Sequence, residues 1–330
     1  MSSLLSPFSQ YGRSAWPLQP TAGKHFFVSP SGEGLNRFRD MFSPDEQSFT
    51  RVFTSYEDAY AACISNRGDV IYLQDNASHE LASGMLAWSK NRITTIGLGP
   101  RRRVQQGAKV QISADLAAAA VIKCTGTRNS FQNIKFIQSS VNAASLNVFQ
   151  FAGEGNHYED CSFIFGDATN LGSTSATEAL MGEDSGTFIR CSFGTDVLLT
   201  TGARAVMTLD AITGASSADG AKSNRFIDCE YVIMSSSANA LAIKLADTAG
   251  AKFLNKWVDT SFQAVISTGG GGIAVTNAIA SAAGFVDGTL VFERPTTAGF
   301  TNGCAGVTDK VIVSGAPVFT ANAWEGGTPS

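Results

Sequence analysis

Three close pairs of acidic residues could in principle do carbohydrate chemistry: Glu159 with Asp160, Glu183 with Asp184, and Asp228 with Glu230. A glycosidase works with two carboxyl groups ~5–10 Å apart, one protonating the leaving oxygen and the other acting as base or nucleophile. Adjacent residues on a strand face opposite ways, so Glu159 and Asp160 do not form a simple pair. Glu183 and Asp184 lie in the glycine-flanked stretch "MGEDSG", which reads as a turn. Asp228 and Glu230 have the spacing to share one strand face. With Arg190 and Ser192 at the same places in a neighbouring unit, a solvated ladder paired with Arg190 is the plainer reading. A calcium-dependent elimination would need clustered acids beside an Arg or Lys base, and no such set stands out. The expectation is therefore a protein with no catalytic residues, no bound metal and no cofactor.

Other candidate groups point to contacts rather than to reactions. "GLGPRRR" places Arg101, Arg102 and Arg103 after a glycine turn, where guanidinium groups could meet an anion or a protein partner. "TGGGGIAV" is not a phosphate loop, because no Lys-Ser/Thr pair follows it. The first residues, "LLSPFSQYGRSAWPL", carry Phe8, Tyr11 and Trp16 without a period and are broken by prolines. Such a segment cannot build a core of its own, yet it is too aromatic for a solvated tail. It either lies on the side of its own domain or anchors the protein to another.

The elements that must position these groups follow from a repeat. "FQNIKF" at Phe131, "YEDCSF" at Tyr158, "FIRCSF" at Phe188 and "FIDCEY" at Phe226 share an aromatic, an apolar fourth residue and an aromatic sixth. "FLNKWV" at Phe253 is the fifth and least regular copy, with Lys256 in the fourth place. Period-two spacing puts the fourth and sixth residues on one face of a strand, and turns Lys135, Ser162, Ser192 and Glu230 to the other. Units of ~25–30 residues with irregular loops, each stacked on the last, describe a parallel β-helix. Cys161, Cys191 and Cys229 then form one inward ladder of reduced thiols, not reactive ones. "TTGARAVMTLDAITGASSADGAKS" reads as a lateral loop between two units.

Before the repeat, Tyr56, Ala59, Tyr60, Cys63 and Ile64 have the spacing of an amphipathic helix, with Ser55 and Asp58 as its capping box. Laid across the end of the solenoid, that helix would cover an otherwise unpaired edge. Only 16% of the 330 residues are charged, against roughly 25% in an ordinary domain, and the net charge is −4. That balance gives no basic footprint for nucleic acid. No stretch reaches the ~20 apolar residues of a membrane span. The start of the chain does not resemble a secretory signal.

"KHFFVSPSGEG", "SYEDAYAACISNRGDVIYLQDNASHEL" and "ITTIGLGPRRRVQQ", with the later "F--C-F" units, resemble the pectate-lyase-like β-helix proteins encoded among the structural genes of tailed bacteriophages. The resemblance spans roughly residues 25 to 260 and rests on structural motifs. It implies an all-β, right-handed parallel β-helix: an extended arm over 1–24, one β-helix domain over 25–320 with a capping helix near 55–66, and a tail over 321–330. It further implies a virion protein assembled in the bacterial cytoplasm. The expected role is a non-enzymatic, trimeric capsid decoration protein on the major capsid protein. Phe8, Tyr11, Trp16, Arg101, Arg102 and Arg103 are then its contact residues. The alternative is a tail spike or fibre that binds or depolymerises a host surface polysaccharide.

Overall fold

The computed structural model describes residues 23–30, 51–99, 107–212, 215, 220–246, 251–252, 254–266, 271–281, 288–305 and 311–314. They form a right-handed parallel β-helix of three long sheets, with eleven strands in the first and eight in each of the others. One middle coil shows the plan. The strand His157–Glu159 belongs to the first sheet, Ser162–Phe165 to the second and Thr177–Met181 to the third. Each strand pairs in parallel with its counterpart one coil away, as Tyr158 does with Phe131 on one side and Phe188 on the other.

The repeat exists because inward positions demand the same shape in every coil. Phe131, Tyr158, Phe188, Phe226, Trp257 and Phe292 stack face to face, with successive ring centroids 5.4, 4.6, 4.7, 4.8 and 4.8 Å apart. A second column, Phe136, Phe163, Phe193, Tyr231 and Phe262, runs beside it at 5.0–5.3 Å. Flat rings at strand spacing fill the interior without leaving gaps, which is what a close-packed core requires. Between the columns sits the expected cysteine ladder, buried and free of disulfides. The thiols of Cys161, Cys191 and Cys229 donate to the carbonyls of Phe131, Tyr158 and Phe188, each one coil back, at 3.4, 3.5 and 3.6 Å.

The fifth copy of the repeat is shifted from its expected register. Trp257, not Phe253, pairs with Phe226, and Ser261 pairs with Glu230. The unit is therefore "WVDTSF", with buried Thr260 in the cysteine place. Lys256 instead pairs outward with Arg225. Phe253 misleads because an aromatic four residues early mimics the motif. The supposed lateral loop is also corrected. Its middle, Ala205–Leu209, is a strand of the third sheet, with Met207 and Leu209 fully buried. The excess length of the stretch and its Gly-, Ser- and Ala-rich flanks hid the short apolar run AVMTL.

The first and second sheets meet at a corner made by one residue per coil. Asn133, Asp160, Arg190, Asp228, Asp259 and Arg294 all have φ between 50° and 55°. Asn and Asp tolerate this left-handed conformation better than most side chains. At two corners an arginine is held by the aspartate one coil back, Arg190 to Asp160 at 2.7 Å and Arg294 to Asp259 at 2.6 Å. The strand rule that separated Glu159 from Asp160 therefore fails. The chain bends at Asp160, and both carboxylates reach the Arg190 guanidinium.

The capping helix runs over Tyr56–Ala62, with the Ser55 hydroxyl accepting the Asp58 N–H at 3.3 Å. It is shorter than the expected 55–66, because Cys63 already has extended backbone and the Ile64 N–H is taken by Asp69 at 2.7 Å. Ile64 is consequently exposed rather than part of the apolar stripe. Tyr60 stacks on Trp88 at 4.1 Å and so closes the end of the aromatic interior. The Lys90 ammonium donates to the carbonyls of Tyr60, Ala61 and Cys63 at 2.7–2.8 Å, satisfying the helix C-terminus.

Candidate functional site

The strand Ser192–Thr200 is nine residues long where its neighbours in the second sheet have four and six. Pairing with the next coil stops at Thr195–Ile233 and resumes at Leu199–Met234. Asp196, Val197 and Leu198 are therefore extra residues; Asp196 and Val197 are thrown outward, and the half-buried Leu198 packs back against the core. Val197 is 75% exposed, although it sits within a strand. This bulge forms one wall of a cleft of about 370 Å³ on the outer face of the second sheet.

The cleft floor is built from two outward rows. One is Lys135, Ser162, Ser192 and Glu230, successive partners in register. At one strand spacing per coil, lysine and glutamate stand roughly 14 Å apart with two hydroxyls between them. The second row is Ile164, Gly194 and Val232, continued by Gln263. Gly194 has φ 87°, and a Cβ there would lie 2.0 Å from the Val232 carbonyl, so only glycine fits beside the bulge. The surface is thus apolar along one strip and hydroxyl-lined along the other.

Its charges are set by the same stacking. Burial, together with Lys109 one coil away, holds the Lys135 ammonium below the usual lysine range. Lys135 therefore gives up its proton more readily than a solvated lysine. Glu230 accepts a hydrogen bond from the Gln263 amide at 3.1 Å, which orients one carboxylate oxygen. Asp196 stands on the bulge wall as a second, exposed acid. A lysine, two acids and a row of hydroxyls share the cleft.

Sequence reasoning turned Lys135, Ser162, Ser192 and Glu230 outward correctly, but treated them as a solvated ladder. The wall escaped notice because three inserted residues have no periodic signal. Asp228 does not join Glu230 on a strand face, since it occupies the corner at φ 51°. Glu183 lies in the turn between the third and first sheets as expected, but it is fully buried there, while Asp184 pairs with Lys222 at 3.2 Å. Phe8, Tyr11, Trp16, Arg101, Arg102 and Arg103 lie outside the described residues. Among the described residues, no group of three or more His, Cys, Asp or Glu side chains is arranged to hold a metal, and no helix is long and apolar enough to cross a membrane.

Fold and cleft together define a right-handed parallel β-helix with an elongated outer cleft. A rhamnogalacturonan lyase shares this fold over 93% of the present chain and 75% of its own, with a TM-score of 0.52 and 10% identity. The pectin methylesterase from Aspergillus niger aligns over 85% of this chain and 87% of its own, with a TM-score of 0.49 and 13% identity. No protein-family model and no curated protein sequence matches the chain. The expectation of a protein without enzymatic activity is corrected: the fold is one that a rhamnogalacturonan lyase shares, and it is consistent with a polysaccharide-active enzyme.

Proposed function

We propose that the protein binds a polysaccharide along the second-sheet cleft and cleaves it there, in the manner of a phage tail spike acting on a host surface glycan. The cleft carries the reading. A pyranose ring has apolar C–H faces and an equatorial rim of hydroxyls, and the parallel strips of Ile164–Val232 and Ser162–Ser192 suit both. Glu230 and Asp196, on adjacent coils, are the candidate acid and base at the scissile bond, and Lys135, roughly 14 Å along the row, is the candidate partner for an acidic sugar of the same polysaccharide. A substrate lying along the solenoid axis meets the lysine at one end of the row and the glutamate at the other.

This role takes the place of head decoration as the preferred one, and the resemblance to phage β-helix proteins fits a spike as well as a capsid protein. The protein is then a virion component, with a trimer as its expected assembly. The test is to incubate the full chain with a panel of purified bacterial capsular polysaccharides and lipopolysaccharide O-chains. Release is followed by new reducing ends and by the ultraviolet absorbance of unsaturated ends. Release that falls at least tenfold in Lys135→Ala or Glu230→Gln, with folding unchanged, is the expected result. Cleavage that both variants retain in full would move the site elsewhere. Absence of cleavage and binding across the panel would overturn the proposal.

A further inference from the structure

At the corner between the third and first sheets, one residue per coil forms a buried polar ladder. The Ile93 N–H donates to Asn129 Oδ1 at 3.0 Å, and the Asn129 N–H to Asn156 Oδ1 at 2.7 Å. Further along, the Gly186 N–H donates to Asn224 Oδ1 at 2.7 Å, and the Asn224 N–H to Asn255 Oδ1 at 3.1 Å. Each asparagine amide thus accepts from the coil before it. The amide nitrogens of Asn156, Asn224 and Asn255 also donate, to the carbonyls of Gly126, Glu183 and Ala221 at 3.0, 2.8 and 3.1 Å.

One rung breaks the rule. Gly186 holds the asparagine place in its coil and has no side chain to offer. The Asn156 N–H goes instead to Oε1 of Glu183, three residues earlier, at 3.2 Å. The exchange is compensated within the chain. Where the rung is Asn129 or Asn156, the residue three before it is Gly126 or Gly153, and a Cβ there would lie 2.8 or 2.3 Å from the asparagine amide nitrogen. Where the rung is Gly186, that earlier place carries Glu183, and a Cβ on Gly186 would meet the Glu183 carboxyl carbon at 3.0 Å. "Gly-x-x-Asn" has become "Glu-x-x-Gly", and a carboxyl group fills the amide's space.

An amide offers an acceptor and a donor together. A carboxyl group matches it only when protonated, and an ionised one is an acceptor alone. Glu183 is completely buried, and its Oε2 has no well-formed hydrogen bond. Among the described residues, the groups that act on its charge are Asn156, Tyr158 and Asp184, none of them a cation. Cys124 and Tyr158 face it from the preceding coils, both held neutral far above their usual ranges by burial first. Asp184 is its neighbour in sequence, and Lys222 on the following coil is engaged with Asp184.

We propose that Glu183 is a proton-dependent rung, whose acid form completes the ladder in the cleft-bearing coil and whose ionisation loosens that coil. Burial drives its carboxyl up from the usual 4.5 to about 7, with Asn156 and Tyr158 pulling the other way. Below the unfolded value, both folded and unfolded chains hold the proton and the rung is intact. As pH rises from about 4.5 to about 7 the unfolded chain ionises first, so stability is lost through that window and is level above it. The coil leads directly into Ser192–Thr200, which carries the cleft floor and bulge. Mild acid therefore firms the cleft, and neutral to basic conditions relax it.

Urea unfolding of the full chain at pH 5 and pH 8 tests this against Glu183→Gln, an amide that cannot titrate. The folding constant of the wild type relative to the variant should fall on the order of fifty- to a hundredfold between the two pH values. An infrared carbonyl band of a protonated carboxyl should be present at pH 6 in the wild type and missing from the variant. Parallel pH profiles, or a band that survives in the variant, would overturn the proposal. Should Glu183→Gln not fold, the double variant Glu183→Gly with Gly186→Asn restores the pattern of the two preceding coils. That variant must fold with a flat profile. Its failure to fold, or a wild-type slope in it, overturns the proposal equally. No polysaccharide enters this test, so its outcome is independent of the proposed activity.

Discussion

The inward and outward faces of the second sheet follow opposite rules. Inward, Phe136, Phe163, Phe193, Tyr231 and Phe262 repeat one shape coil after coil. Outward, Lys135, Ser162, Ser192 and Glu230 differ in charge, and a three-residue bulge at Asp196–Leu198 interrupts the pairing. The interior is constrained because every ring must stack on the one below. Water or a ligand makes no such demand on the outer face. Periodic residues therefore mark what holds the solenoid up, and breaks in the period mark where it acts. Glu183, which interrupts the asparagine ladder, belongs with the breaks even though it is buried.

The largest expected effect tests whether polar interior groups obey the same constraint as the rings. Arg204 and Glu178 are both buried and paired by two hydrogen bonds of 2.6 and 2.8 Å, with the guanidinium 5.5 Å from the Phe165 ring. Arg204→Ala leaves an unpaired buried carboxylate and should cost about 3–5 kcal/mol in urea unfolding. A loss under about 1 kcal/mol would mean that water reaches the pair. Cys191→Ala should cost about 1–2 kcal/mol, since it removes one buried sulfur from a ladder that stays otherwise filled. In the native wild type, Cys161, Cys191 and Cys229 should resist thiol reagents until the chain unfolds. Fast labelling of all three would contradict the stacked interior.

Deleting Asp196, Val197 and Leu198 sharpens the other side of the comparison. The shortened strand should pair like its neighbours at a cost of about 1–2 kcal/mol in urea unfolding, from the lost packing of Leu198, while polysaccharide binding and cleavage fall at least tenfold. A deletion that unfolds the protein would show the bulge to be structural. The smallest effect belongs to the exposed corner pair, Arg294 and Asp259. Arg294→Ala should leave the thermal midpoint where it is, because solvent screens such pairs. A clear downward shift would extend interior-like constraint to the corners.

Much of this architecture could be read from the chain because an inward ladder repeats its residue types. Phe131, Tyr158, Phe188 and Phe226, with the cysteines three residues after the later ones, specify strand, register and stacking at once. The capping helix announced itself through Ser55 and its apolar stripe. The strand Ala205–Leu209 was illegible, because it is a single short apolar run inside a long stretch rich in Gly, Ser and Ala, without the aromatic that marks the other units. The register of Trp257 was hidden by a nearby Phe253 that fits the same motif.

What the amino-acid order determined by itself was the repeat, the inward cysteines and the outward row, since these follow from local period and side-chain type. Tertiary structure alone decided that the outward row lies under a wall, that Glu159 and Asp160 share one arginine, and that Glu183 enters the interior. Each of these depends on which coil lies next to which, and on loop lengths that strand periodicity does not encode. A glutamate in a glycine-flanked stretch looks the same in sequence whether it meets water or an unfilled asparagine place. Only the stacking of Gly186 on Asn156 tells the two apart, because it leaves a backbone N–H that the carboxyl group must meet.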